Sequence, residues 1–257
     1  MNAQESSGDA PPSKNQVRKA GRVVRKHLQH PIDPTPEGHA QALEEYEQAI
    51  LVIERHRAAH SQPMLTANVF LRRACAALAI EGRVTQRLKR METIREKLLR
   101  EPGELDRMQD LGGCRVVMPT IADAYRLRDY IVERRRIDRC TDYIDRCTDY
   151  IESPRLSGYR AIHIVAPFGN TVCKPVEIQI RTLAMHEWAT MVEETSGILG
   201  INYKQDGHTL FQSWASTLSE IMALQESSRP VPPALWARYT DGQSRLFADL
   251  EGGHHDG

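Results

Sequence analysis

The stretch VEIQIRT, residues 176–182, alternates without a break: Val176, Ile178 and Ile180 fall on one side, Glu177, Gln179 and Arg181 on the other. Successive side chains of a strand point to opposite faces, so this segment reads as a strand with one face to bury and one polar face to present. GGCRVVM (112–118) reads as a short buried strand and RAIHIVAPF (160–168) as another, with GNTVCKP as the turn that leads into VEIQIRT. A sheet with an apolar face needs a covering layer, and the rest of the chain supplies helical patterns.

Leu43, Tyr46, Ile50 and Ile53 recur at 3-4-3 spacing, a core-facing helical stripe. A second helix is expected over Asn68 to Ile80. A third is expected from about Val84 to Arg100, with Leu88, Met91, Ile94 (or Arg95) and Leu98 turned inward, stopped by Pro102-Gly103. Thr120 with Asp123 three residues on resembles a capping box, opening a helix to about Arg135 whose inner face is Ile121, Ala124, Leu127 and Ile131. Two more helices follow, one through about Ile198 and one from Thr209 to Gln225. The order predicts an α+β fold, a mixed sheet flanked by helices. The expected organisation is a disordered, basic N-terminal arm over 1–36, one domain over 37–226, and a Pro-rich, weakly ordered tail over 227–257.

Size and charge narrow the function. The chain has 257 residues and a formal net charge of zero, which argues against a protein that coats nucleic acid non-specifically. Six Lys and Arg between Lys14 and Gln29, with no acid, mark either a phosphate contact or a solvated basic helix. No apolar run reaches membrane-spanning length, so a cytoplasmic protein that does not engage a membrane is expected. The five cysteines (75, 114, 140, 147 and 173) form no CxxC pair and read as reduced thiols.

Candidate chemistry gathers on the strands. Asp110 lies just before Gly112-Gly113, where missing side chains would let a ligand approach the backbone, and Arg115 follows within the strand. Two readings of Asp110, Arg115, Glu177, Gln179 and Arg181 stand side by side. They form an exposed sheet face with a salt bridge, or Asp110 and Glu177 are carboxylate ligands of Mg²⁺, a hard ion that keeps waters and phosphates as its other ligands. Tyr159, after Gly158 where a loop meets a strand, can stack on a base or simply pack at the rim. Arg87, Lys89 and Arg90 in RLKRMETIREK suit adenine stacking and phosphate contact, or a solvated helix face.

Taken together, RLKRMETI, DLGGCR, DYIESPRLSGYRAIH and VEIQIRTLAMHEWA resemble, in order, the motifs of the RelA/SpoT synthetase domain, in particular the small alarmone synthetases and their toxin relatives. The likeness is strong over about Arg87 to Ala189. It implies a nucleotidyltransferase-like synthetase fold and a pyrophosphokinase that moves the β,γ-pyrophosphate of ATP to the 3′-hydroxyl of GDP or GTP, with Mg²⁺ as cofactor. It implies Asp110 and Glu177 as metal ligands, with Glu177 also a base for the 3′-hydroxyl. Arg87 and Arg115 would sandwich adenine, with Lys89 and Thr93 near the phosphates. Tyr159 would stack on the acceptor base, with His163, Gln179 and Arg181 around the acceptor. Some toxic relatives instead modify the tRNA 3′ end and are neutralised by an antitoxin protein; a non-catalytic nucleotide-binding module and a homo-oligomer are further readings. Arg155 stands where the family has Lys, Met91 and Thr93 replace its Pro and Ser, and Val192-Glu193 stand in place of Glu-His.

One feature lies outside the family pattern. IDRCTDY occurs twice in succession, at 137–143 and 144–150. A seven-residue shift reverses the faces of a strand, so both copies cannot serve one straight strand. As a helix, Ile137, Cys140, Ile144, Cys147 and Ile151 would form a heptad stripe. The resemblance to the family's loop implies that only the second copy, by its distance from Pro154 and Gly158, has the working role and that the first is a surplus insertion, with helix extension the alternative.

Overall fold

The computed structural model describes residues 10–30, 36–101, 104–137, 146–169, 173–199 and 209–252. The helices are α1 (Lys14–Gln29), α2 (Pro36–Ala58), α3 (Ser61–Ala77), α4 (Met91–Arg100), α5 (Ile121–Ile137), α6 (Leu183–Leu199), α7 (Leu210–Glu226) and α8 (Pro233–Gly252). The strands are β1 (Arg83–Leu88), β2 (Gly112–Met118), β3 (Arg146–Asp149), β4 (Ile162–Phe168) and β5 (Lys174–Thr182). They form one sheet in the order β1-β2-β5-β4-β3, with β2 and β5 parallel and every other pair antiparallel. The expected α+β fold with a mixed sheet is the one observed.

The apolar face of the sheet carries Cys114, Val116 and Met118 of β2, Val176, Ile178 and Ile180 of β5, and Ile162, Ile164 and Ala166 of β4. It is covered by Ala67, Leu71 and Ala74 of α3 and by Ala124, Leu127 and Ile131 of α5, all fully buried. Each Val, Leu, Ile or Met side chain among them contributes about 1.5–3 kcal/mol by leaving water. The Thr120 cap is reciprocal: Thr120 Oγ1 accepts from the Asp123 amide at 3.1 Å and donates to the Asp123 carboxylate at 2.7 Å. Thr209 caps α7 by accepting from the Gln212 amide.

Four expectations change. The helix expected from Val84 begins only at Met91, because Arg83–Leu88 is strand β1, paired antiparallel with β2 from Arg83↔Val117 to Leu88↔Gly112. Helical spacing of Leu88, Met91 and Ile94 misled here. Val84, Gln86 and Leu88 also share one face of a strand, and tertiary pairing decided between the two periods. Leu43, placed in the core stripe, is 41% exposed, and Ile53 carries the burial of that face.

The basic arm is helix α1, and it belongs to the fold. Val17 and Val24 are fully buried against Ile53, Ile94, Leu98 and Leu105. Its cations meet internal partners: Arg18 with Asp106 at 3.0 Å, Arg22 with Glu104 at 2.7 Å, and Arg25 with the Leu98 carbonyl at 2.7 Å. A serine–glutamine capping box at Ser13 and Gln16 starts the helix. The expected weak tail carries α8. Proline is compatible with a first helical turn, where its missing N–H has no partner to lose, so Pro233 starts a helix rather than preventing one. Leu235 is buried, Tyr239 stacks on Trp214 at 5.6 Å, and Arg238 pairs with Glu220 of α7 at 2.8 Å.

Of the doubled segment, the second copy supplies β3, whose Arg146 to Asp149 pair with Val165 to Ile162 of β4. Asp149 then folds the chain back, its Oδ1 accepting from the amides of Ile151 and Glu152. The first copy lies outside the described residues beyond Ile137, as does Cys140. The described cysteines 75, 114, 147 and 173 are free thiols.

Candidate active site

The register of the sheet assembles the site. Paired residues point to the same face, so Arg87, Gly113, Glu177, Val165 and Arg146 form one row across all five strands. Thr85, Arg115, Gln179, His163 and Thr148 form the next. This face floors a cleft of about 900 Å³, walled by α4, by the segment from Glu104 to Asp110, by the loop around Ser157, and by α6. Nine cations line it (Arg87, Lys89, Lys97, Arg100, Arg107, Arg115, Arg146, Arg155 and Arg181) against six carboxylates (Glu96, Glu101, Glu104, Asp110, Glu177 and Glu193). The balance of +3 suits an anionic ligand. All ten sequence-predicted site residues line this one cleft.

The two glycines before Arg115 divide their work. A Cβ on Gly112 would meet the His60 Cβ at 3.2 Å, so that glycine lets α3 approach. A Cβ on Gly113 would meet only backbone oxygens at 3.7 and 3.9 Å. Gly113 therefore leaves open floor between Arg87 and Glu177.

Asp110 sits at the mouth of β2. Its Oδ2 accepts from Lys89 Nζ at 2.9 Å and Lys97 Nζ at 3.1 Å. Burial pushes its carboxyl up, but the two lysine charges and their hydrogen bonds hold it below the ordinary range. Its Oδ1 is buried and has no hydrogen-bond partner. A buried carboxylate oxygen without a partner is costly, and a hard cation or a donor brought by a ligand would relieve that cost. Glu177 is the other carboxylate expected to hold a metal, and it lines the same cleft. Among the described residues no cluster of three or more His, Cys, Asp or Glu could hold a metal by itself.

Glu177 is held from both sides. His163 Nδ1 lies 3.1 Å from Oε1, and Gln179 Nε2 donates to Oε2 at 2.8 Å. Burial raises its carboxyl, but the His163 hydrogen bond, the charge His163 carries when protonated, the Gln179 hydrogen bond and the Lys89 charge bring it down, to about 2 with that ring protonated. It is an anion at neutral pH. Arg115 and Arg181 each have a buried Nε without a partner. Burial and the neighbouring Arg181 charge make the Arg115 cation less favourable than usual, with Arg87 adding a smaller repulsion. Such guanidinium groups are poised for an anion.

Tyr159 is half-buried, its ring edge-on to Tyr150 and His163. The guanidinium groups of Arg181 and Arg155 lie 5.0 and 5.7 Å from its centroid. Its hydroxyl meets His163 Nε2 at 2.6 Å and accepts from Arg181 at 2.7 Å. Sequence reasoning missed Lys97 and Arg146. Lys97 stands one helical turn after Thr93, a spacing that places both on one face of α4. Arg146 belongs to a strand visible only through its pairing.

A sheet-floored cleft that carries Asp110 and Glu177 under a surplus of lysine and arginine suits an anionic ligand. The comparisons with known proteins agree. Residues 86–208 match the family model described as "Region found in RelA / SpoT proteins". GTP pyrophosphokinase YjbM of Bacillus subtilis is 34% identical over 136 residues, which cover 49% of this chain and 58% of YjbM. GTP pyrophosphokinase YwaC of the same organism is 30% identical over 118 residues, 41% of this chain and 53% of YwaC. The chain thus spans a little over half the length of these curated relatives. The crystal structure of small alarmone synthetase 1 from Bacillus subtilis, bound to its product pppGpp, superposes with a TM-score of 0.57 at 25% identity, covering 68% of this chain and 93% of that one. Residues 86–208 are thus similar to the RelA/SpoT region, and the fold is that of the small alarmone synthetases. Among the described residues no helix is long and apolar enough to cross a membrane.

Proposed function

We propose that the protein is an ATP-dependent pyrophosphokinase that transfers the β,γ-pyrophosphate of ATP to the 3′-hydroxyl of GDP or GTP. The observation that carries this reading is the pair Asp110 and Glu177 held as anions on the floor of a strongly basic cleft, within a RelA/SpoT region. Relatives named GTP pyrophosphokinase support it. Pyrophosphoryl transfer asks a protein chiefly to position two nucleotides and to neutralise phosphate charge, which is what these residues offer.

Arg87 and Arg115, neighbours on β1 and β2, would hold adenine, and Lys89, Thr93 and Lys97 the phosphates of ATP. Asp110 and Glu177 fit Mg²⁺, since the unpartnered Asp110 Oδ1 is a hard oxygen donor and two carboxylates leave room for phosphate and water ligands. When bound there, the ion would supply charge neutralisation on the transferring pyrophosphate. Glu177, an anion fixed by His163 and Gln179, would accept a hydrogen bond from the attacking hydroxyl and orient its oxygen. With a carboxyl at about 2 it takes that proton only as the new P–O bond forms. Tyr159 and Arg155 would face the acceptor base, and Arg181 an acceptor phosphate. The test is to incubate the purified protein with γ-labelled ATP and GDP, GTP or deacylated tRNA. Label in a guanine nucleotide is expected. Label only in tRNA would move the protein to the toxin relatives, and no label in any acceptor would leave a binding module.

A further inference from the structure

Five side chains of the cleft form a closed circuit. Arg181 donates to the Tyr159 hydroxyl at 2.7 Å, and that hydroxyl meets His163 Nε2 at 2.6 Å. His163 Nδ1 meets Glu177 Oε1 at 3.1 Å, and Glu177 Oε2 accepts from Gln179 at 2.8 Å. Gln179 Oε1 accepts from Arg181 at 3.0 Å, which closes the ring. The members come from β4, β5 and the loop before β4, so the circuit ties two neighbouring strands together above the site floor.

Two ends of the circuit have no choice of role. A guanidinium only donates, and an ionised carboxylate only accepts. The phenol oxygen therefore accepts from Arg181, and among the described contacts its own proton has one acceptor, His163 Nε2. With the phenol proton given to that nitrogen's lone pair, the imidazole proton sits on Nδ1, directed at Glu177. Both branches, through Tyr159–His163 and through Gln179, run from Arg181 and end with a donor on a different oxygen of Glu177. A carboxylate held at both oxygens cannot rotate about its terminal bond without breaking one of them.

We propose that Tyr159 is a positioning residue whose hydroxyl, acting through His163, fixes the orientation of the Glu177 carboxylate for transfer. The proposal rests on the reaction assigned above and gives Tyr159 a task separate from any contact of its ring. The ring and the hydroxyl can be separated chemically. Tyr159→Phe keeps the ring and deletes the hydroxyl, which frees His163 to change tautomer and releases one side of Glu177. Partners that orient a reacting or metal-binding carboxylate typically change activity by about 10–100-fold when removed.

The experiment has two arms on the full chain. In the first, ¹⁵N NMR of histidine-labelled protein, with His163 assigned from a His163→Asn sample, reads the protonation of each ring nitrogen. A neutral ring protonated on Nδ1 is expected, and Tyr159→Phe should change that pattern. A proton on Nε2 or on both nitrogens would overturn the circuit, whatever the protein catalyses. In the second arm, Tyr159→Phe should lower kcat by about 10–100-fold with the acceptor KM within about twofold and an unchanged melting midpoint. His163→Asn, whose amide can still donate towards Glu177, should retain more activity than His163→Ala. Wild-type kcat in Tyr159→Phe would overturn the positioning role, and a raised acceptor KM at constant kcat would reassign the hydroxyl to binding. The expected NMR pattern in a protein that labels no acceptor would leave the circuit standing and overturn the reaction instead.

Discussion

Replacing Gly158 with alanine tests how the acceptor side of the cleft is held. Gly158 has φ +88°, a region where an L side chain costs about 1–2 kcal/mol. An added Cβ would lie 2.8 Å from the Ser216 Cα, 3.0 Å from the Ser219 Cβ and 3.2 Å from Trp188 Cζ2. The first of these is backbone of α7 and cannot swing aside, so overpacking adds about 1–3 kcal/mol. The two costs together give about 2–5 kcal/mol. For a chain of this size that lowers Tm by roughly 4–20 °C. The local contacts say what moves. Ser219 Oγ donates to the Gly158 carbonyl, Arg160 Nε donates to Ser219, and Tyr159 lies between them in sequence. Gly158→Ala should therefore shift Tyr159 off His163 and reduce transfer more than the loss of folded protein explains. Differential scanning fluorimetry and urea titration give the stability, and initial rates at saturating ATP give the activity. A melting midpoint within 1 °C of the parent would refute the claim that α7 grips this loop.

Asp110→Asn and Glu177→Gln keep size and remove charge; each should cost at least about 100-fold in transfer while the protein stays folded, and full activity of either at ordinary Mg²⁺ would return both residues to a structural salt-bridge role. Stability should depend on acid through the same groups. The folded-state carboxyls of Glu177 and Asp110 are depressed, so their stabilisation is complete above the ordinary carboxylate range and is lost as pH falls from about 4.5 towards 2. Urea midpoints between pH 7 and pH 3 should fall less steeply in Glu177→Gln than in the parent. Deleting Ile137 to Tyr143 places Ile144 at the end of α5, an isoleucine for an isoleucine, and keeps Arg146 to Asp149 for β3. The connection from α5 to β3 then shrinks from eight residues to one, Asp145; each halving of a loop changes stability by only about 0.6 kcal/mol, so three halvings should move the melting midpoint by roughly 4–7 °C, with transfer retained.

Much of the site was legible because it sits on regular strands. The alternation of Val176 to Thr182 placed Glu177, Gln179 and Arg181 on one polar face, and the neighbouring strands could be read from their apolar runs. What the sequence withheld was register. Only pairing across the sheet sets Arg146 in a row with Glu177 and Arg87, and no periodicity in a four-residue edge strand announces it. Strand β1 was hidden for a related reason: six residues with a mixed pattern satisfy helical and strand spacing alike, and the antiparallel partner decides. The basic run from Lys14 was visible, but its partners Asp106 and Glu104 lie some eighty residues away, so its burial was not. Proline-rich sequence around Pro233 suggested a weak tail although proline also opens helices. The role of Tyr159 was drawn from its ring, whereas its hydroxyl contacts depend on the side-chain geometry of β4 and β5.

The central claim is that the cleft moves a pyrophosphoryl group as one unit, and the co-product reports this most directly. With ATP, GDP or GTP and Mg²⁺, anion-exchange chromatography of the reaction should show AMP and a 3′-pyrophosphorylated guanine nucleotide appearing in equal amounts, and neither with Glu177→Gln. ADP as the co-product, or AMP formed at the same rate with no acceptor present, would contradict it.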